Sequence, residues 1–202
     1  MFLGGLGEVG KNMGVLEYRR DIIIIDAGIG FREEDMFGVN VLLPDIRYLR
    51  EHAGHVRAIL ITHGHEDHIG AIPYILDELP VPIYSTRLTQ GLLQARLKEC
   101  KLLDRADLRL IQPDDDPRII IGSFTVECFR VSHSILDAVG FAVTTPVGMV
   151  IHSGDFKFEQ PVGNRRLTNV AKLCDIGRRK PLALISDCVH ADHRASRHPS
   201  GW

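Results

Sequence analysis

Leu60-Ile61-Thr62-His63-Gly64-His65-Glu66-Asp67-His68-Ile69-Gly70-Ala71-Ile72-Pro73-Tyr74 is the stretch on which the reading of this chain turns. It continues an apolar run, Val56-Arg57-Ala58-Ile59-Leu60-Ile61, whose β-branched content predicts a buried strand. Three histidines and an aspartate then follow within six residues. Imidazole nitrogen and carboxylate oxygen are the donors that zinc and related divalent cations take. A regular strand or helix would scatter these side chains over different faces, whereas a strand-to-helix turn lets them point to one spot. A polar helix cap needs Asp67 alone and leaves three histidines unexplained. The expectation is a metal centre on His63, His65, Asp67 and His68.

Upstream, residues 14–18 and 21–26 read as two strands turning at Arg19-Arg20, and residues 45–55 as a helix after Pro44. Downstream, residues 69–79 read as a helix, 82–85 as a short strand, and 86–103 as a helix. That last helix has an apolar face of Leu92, Leu93, Ala95, Leu97 and Leu102. The period then changes: residues 118–121, 124–130, 140–145 and 148–152 read as strands with Gly or Pro turns between them. Residues 167–175 suggest a helix and 182–187 a last buried strand. Two further candidate ligands stand at strand ends: His133 after Phe129-Arg130-Val131-Ser132, and Asp155 after Val150-Ile151-His152-Ser153-Gly154. Alone, each is an ordinary turn residue; beside the cluster, a fold that gathers strand ends on one rim makes both ligands.

Residues 60–74 resemble the signature of metallo-β-lactamase-fold hydrolases. The continuation Ile69-Gly70-Ala71-Ile72-Pro73-Tyr74 is similar to the ribonuclease J branch of the β-CASP group in particular. So are the opening Gly4-Gly5-Leu6-Gly7-Glu8-Val9-Gly10-Lys11-Asn12-Met13, the segment His133-Ser134-Ile135-Leu136-Asp137-Ala138-Val139-Gly140, and Ser153-Gly154-Asp155-Phe156-Lys157-Phe158. The resemblance implies an α/β fold, a metallo-β-lactamase-like four-layer αββα sandwich of two mixed sheets with helices outside. It also implies that His63, His65 and His133 hold one metal, that Asp67 and His68 hold another, and that Asp155 bridges them. Asp26 would brace the site without ligating, the alternative being a solvated strand-end carboxylate. Ser186-Asp187 matches a segment near the rim. Two Zn2+ fit the donors best, and Mn2+ also suits so oxygen-rich a site. The implied activity is RNA hydrolysis, endonucleolytic and from the 5′ end. The catalytic set is His63, His65, Asp67 and His68, with Asp67 orienting the attacking hydroxide.

The same ligand cluster also fits a small-molecule hydrolase of the glyoxalase II or lactamase type, or a non-catalytic metal-stabilised module. The glycine-rich opening lacks a Lys-Ser/Thr pair in Walker spacing, so its glycines are read as tight turns, with Lys11 and Asn12 in a solvated loop, the alternative being that they face the substrate. Arg178-Arg179-Lys180 reads as a solvated turn before Pro181 rather than an RNA contact.

Composition sets outer bounds. The 202 residues are 45% hydrophobic and 25% charged, the profile of a soluble globular domain. A net charge of -2 supplies no overall basic signal for nucleic acid, so RNA has to be argued from the site. No apolar run approaches the ~18–20 residues of a membrane span, and no signal-peptide pattern opens the chain, so the expectation is a cytoplasmic protein without membrane contact. Cys100, Cys128, Cys174 and Cys188 form no CxxC pair and read as reduced thiols. Residues 1–188 are expected to form the N-terminal portion of the domain, and 189–202, polar and aperiodic, a disordered or frame-shifted tail. Ribonuclease J proteins continue into a β-CASP insertion, a returning segment with one more His ligand, and an oligomerising C-terminal domain. By that measure this chain reads as a truncated form of low activity whose full-length version is a homo-oligomer. His190, His193 and His198 do not match the missing ligand.

Overall fold

The computed structural model describes residues 1–32, 36–115, 118–158, 167–189 and 191. One sheet takes its strands in chain order: β1 (Phe2–Gly4), β2 (Met13–Tyr18), β3 (Asp21–Ile25), β4 (Val56–Leu60), β5 (Ile83–Ser85) and β6 (Leu108–Leu110). The first three pair antiparallel, with a tight turn at Arg19-Arg20; β3 through β6 pair parallel. Parallel neighbours need crossovers. Those between β3 and β5 carry α1 (Arg47–Glu51), α2 (Glu66–Ile69) and α3 (Ile72–Ile75), and the one before β6 carries α4 (Arg87–Glu99). The second sheet is an antiparallel meander of β7 (Arg118–Ile121), β8 (Phe124–Arg130), β9 (Val139–Thr145) and β10 (Gly148–His152). After α5 (Val170–Arg178), β11 (Ala183–Ile185) adds to it parallel to β10.

Strand periodicity sorts the core into layers. Successive side chains point to opposite faces. Ile22 and Ile24 of β3, with Ile59 and Ile61, pack under Leu49, Ile72, Leu93 and Leu97 of the helices. Ile23 and Ile25, with Ala58 and Leu60, turn the other way onto Phe124, Val126, Phe141 and Val143 of the second sheet. The outer face of that sheet, Phe129, Ala142, Met149 and Ile151, is covered by Ile176 and Leu173 of α5. Each such isoleucine, valine or phenylalanine contributes about 1.5–3 kcal/mol by leaving water. The result is the expected helix–sheet–sheet–helix sandwich with two mixed sheets. Asp21 ties the sheets at one end. Its Oδ2 accepts from Ser123 N–H (2.8 Å) and Oγ–H (2.7 Å) on the β7–β8 turn, and its Oδ1 accepts from Arg57 Nε (2.6 Å) on β4.

Several elements differ from the sequence-based expectation. The helix expected over 45–55 is α1 followed by a single 3-10 turn, Ala53–His55. The helix expected from 69 begins earlier, at Glu66, and is broken into α2 and α3, because Ala71 N–H leaves the helix to donate to Ala27 O at 2.9 Å. Helix α4 stops at Glu99, and Lys101 takes a left-handed φ of 59°. Its buried face is Thr89, Leu93 and Leu97; Leu92 and Ala95 face solvent, because only i, i+4 neighbours reach the sheet. The expected helix 167–175 is shifted to α5, with Asn169 as its cap accepting from Lys172 N–H. Strand β11 is not the buried strand expected at 182–187. It is an edge, with Leu184 64% exposed. The short strands β1 and β6 were not anticipated. The expected tail lies outside the described residues apart from Val189 and Ala191; His190, His193 and His198 are among those outside. Among the described residues no disulfide joins the cysteines, and no helix is long and apolar enough to cross a membrane.

Candidate metal centre

Strand ends from both sheets meet on one rim. His63 and His65 follow β4, Asp67 and His68 ride on the single turn α2, His133 follows β8, and Asp155 follows β10. Beneath them Asp26 closes β3. It is 1% exposed and has a left-handed φ of 63°, a conformation costing a non-glycine residue about 1–2 kcal/mol. A dense set of hydrogen bonds offsets that strain. Asp26 Oδ1 accepts from Thr62 N–H at 2.7 Å, and Oδ2 accepts from Thr62 Oγ1–H and from His68 Nδ1–H, both at 2.8 Å. Having given its proton to Asp26, the Thr62 hydroxyl accepts from His63 Nδ1–H at 3.0 Å. One buried carboxylate therefore sets the tautomer of two imidazoles, directly for His68 and through Thr62 for His63. Both rings are left with Nε2 facing the rim. A solvated strand-end carboxylate is ruled out at position 26.

The exposed nitrogens converge. His63 Nε2 lies 3.0 Å from His65 Nδ1, which lies 3.3 Å from His133 Nε2. A tetrahedral cation with bonds of about 2.0–2.1 Å to nitrogen spaces its ligands about 3.3 Å apart. On the other side, His68 Nε2 is 3.4 Å from Asp155 Oδ1 and 3.5 Å from Asp67 Oδ2. The second oxygen of Asp155 faces the histidine trio, 3.9 Å from His63 Nε2 and 3.6 Å from His133 Nε2. The structure thus brings together all six residues singled out from the sequence. Within them, two sets of donors each lie close enough to share a single ion: His63, His65 and His133, and His63, His68 and Asp155. The donor set fits divalent cations, since lone pairs packed this closely repel unless protons or cations lie between them.

Electrostatics divides the site. Burial, helped by the charge on His68 and opposed by Asp26 and Asp155, pushes His63 down to about 3, so its ring is a neutral donor at pH 7. Burial also lowers His133, against the pull of Asp155. At His68 burial again works against charge, but the Asp26 and Asp155 carboxylates overcome it and raise the ring to about 10; a cation at Nε2 has that proton to displace. Burial opposes ionisation of Asp155, yet the His68 hydrogen bond and the charges of His68, His63 and His133 hold it at about 2.

Sequence reading missed two residues here. Thr62 offered only a polar side chain ending an apolar strand. Asn12, expected in a solvated loop, instead puts its side-chain Nδ2 3.1 Å from Asp67 O, 3.3 Å from Asp67 Oδ2 and 3.1 Å from His68 Nε2. Lys11 pairs with Glu8 at 2.9 Å. Asp187 sits by the rim, its N–H donating to Ser153 Oγ at 3.1 Å. The Arg178-Arg179-Lys180 run is exposed and turns at the end of α5, as expected. Arg178 pairs there with Asp175 at 2.5 Å, and Arg179 reaches the buried Glu127 at 2.6 Å.

Comparison with known proteins gives the family and the fold. The family model of the metallo-beta-lactamase superfamily matches residues 6–197. Ribonuclease J of Thermus thermophilus is 44% identical over 197 residues, 94% of this chain and 34% of that protein. Ribonuclease J2 of Bacillus subtilis is 42% identical over 190 residues, again 94% of this chain and 34% of the relative. The chain therefore spans about a third of the length of the curated relatives it matches. Among solved structures, the short form of human tRNase Z superposes with a TM-score of 0.54 at 19% identity, covering 86% of this chain and 73% of that one. The metallo-beta-lactamase fold protein YhfI of Bacillus subtilis gives 0.52 at 17% identity, covering 75% of this chain and 58% of that one. These two likenesses speak for the fold.

Proposed function

The chain belongs to the metallo-beta-lactamase superfamily, and on that premise we propose that it cleaves RNA phosphodiester bonds with two divalent cations held on its rim. One observation carries the two-cation reading: Asp155 turns one oxygen to His68 and the other to His63 and His133, the posture of a bridging carboxylate. RNA as substrate is supported by the 44% and 42% identity to proteins named ribonuclease J. His63 Nε2, His65 Nδ1 and His133 Nε2 hold the first cation, Asp67 and His68 Nε2 the second, and Asp155 both. Zinc suits the nitrogen-rich half, and manganese is tolerated by the oxygen-rich half.

When bound, such a pair supplies hydroxide near neutral pH and offsets charge on a phosphoryl group. The chain's own residues do the rest. Asp26 and Thr62 hold a proton on Nδ1 of each core imidazole, so that Nε2 is the nitrogen left to face a cation. Asp67, a half-buried carboxylate of α2 beside His68, would orient the attacking water. We place the activity in the cytoplasm, where its RNA substrate is.

The test is a comparison on one zinc-loaded preparation. A 5′-monophosphorylated RNA oligonucleotide is expected to be cut, and a small thioester left intact. His63→Ala and His65→Ala should lose both bound zinc and cleavage. Thioester turnover without RNA cleavage, or zinc stoichiometry unchanged in both variants, overturns the reading.

A further inference from the structure

Resting on the two-cation reading, we propose that Asn12 is a positioning residue for the second cation, its side-chain amide fixing the carboxylate of Asp67. Asn12 directly precedes β2, at the end of the glycine-rich opening. Its backbone is pinned independently of its side chain: Asn12 N–H donates to Asp67 O at 3.1 Å, and Asn12 O accepts from Gly28 N–H at 3.0 Å. The amide then reaches the same residue again. Asp67 O, which only accepts, lies 3.1 Å from Nδ2 and so decides which end of the amide faces the site.

Nδ2 carries two protons. Two oxygens of Asp67 lie within its reach, the main-chain O at 3.1 Å and Oδ2 at 3.3 Å. His68 Nε2 lies 3.1 Å from the same nitrogen and 3.4 Å from Asp155 Oδ1, so the amide sits against both Asp67 and His68 at the second cation's place. The amide then restrains the Asp67 carboxylate so that its remaining lone pairs face the ion.

Gly5 belongs to the same contact. A Cβ on it would lie 2.4 Å from Asn12 Oδ1, and its φ is left-handed at 82°. A Cβ on Gly4 would lie 2.1 Å from O of Lys11, the residue before Asn12. At Gly5 the backbone passes close over the residue that steadies Asp67.

The experiment titrates the metal-free 202-residue chain with cobalt(II), following the visible d–d bands that report each site's coordination. The wild type should take up two equivalents. Asn12→Ala, whose backbone hydrogen bonds are retained, should bind the first equivalent within about twofold of wild type. It should bind the second about 10–100-fold more weakly, the range for losing a group that orients a ligand. Gly5→Ala, which pushes the amide aside without removing it, should reproduce the selective loss. A second equivalent bound by Asn12→Ala as in wild type overturns the proposal. Equal weakening of both sites also overturns it, because that marks a general role in folding. A wild type that binds one cation overturns the two-cation reading, and the role of Asn12 with it.

Discussion

Thr62 carries more of the site than its place beside the motif suggests. Its hydroxyl both donates to Asp26 and accepts from His63 Nδ1. It is wholly buried, so neither bond can be replaced by water. Thr62→Val keeps the shape and removes the hydroxyl, leaving a buried imidazole N–H without an acceptor. We expect the metal-free protein to lose about 1–3 kcal/mol in urea denaturation. Zinc affinity should fall about tenfold or more in competition with a chromophoric chelator. Thr62→Ser should recover most of both. A Val variant with wild-type zinc affinity would show that Asp26 does not act on His63 through this hydroxyl.

At the scale of elements, Asp21 fastens the start of β3 to the β7–β8 turn and to β4. The Ser123 hydroxyl, then Arg57, hold its carboxyl below the ordinary range against a smaller opposing effect of burial. A depressed folded-state value means that the ionised form stabilises the fold. That contribution is complete above the unfolded value of about 3.9 and fades as pH falls through the folded one. Asp21→Asn should therefore be less stable than wild type by about 1–3 kcal/mol at pH 6–7, and the gap should close on acidification below about pH 4. A gap independent of pH would assign the loss to packing instead. The break between α2 and α3 belongs to this scale too. Two backbone segments are laced together there by three hydrogen bonds: Ala27 N–H donates to His68 O at 2.7 Å, Ile29 N–H to Glu66 O at 3.1 Å, and Ala71 N–H to Ala27 O at 2.9 Å. Gly28 permits it, since a Cβ there would lie 1.5 Å from Asp67 O.

For the whole molecule, the ligands are shared between sheets. His63, His65, Asp67 and His68 come from the first, and His133 and Asp155 from the second. Cations would thus cross-link the two halves of the sandwich at the rim, at the opposite end of β3 from Asp21. Free zinc at a hundredfold excess over its dissociation constant should stabilise the protein by about 2.7 kcal/mol, visible as a zinc-dependent rise in Tm that chelation reverses. His133→Ala removes the second sheet's imidazole and should abolish most of that rise while changing the metal-free Tm little. A Tm indifferent to zinc in the wild type would count against a cross-linking centre.

Much of this was legible in the residues themselves. The Ile22–Ile25 run marks a strand buried on both faces, and four metal-type donors crowded between His63 and His68 declare their chemistry, because both signals are local. His133 and Asp155 could be named only as strand-end donors with a family resemblance behind them. What folding alone decided lies between segments distant in the chain. A buried aspartate at 26 orients rings at 63 and 68, an amide at 12 grips a carboxylate at 67, and a helix breaks where Ala71 bonds to Ala27. Hydrogen bonds of that kind depend on a few tenths of an ångström between residues tens of positions apart. Local periodicity carries no such information; it comes into being only when the strands are brought side by side.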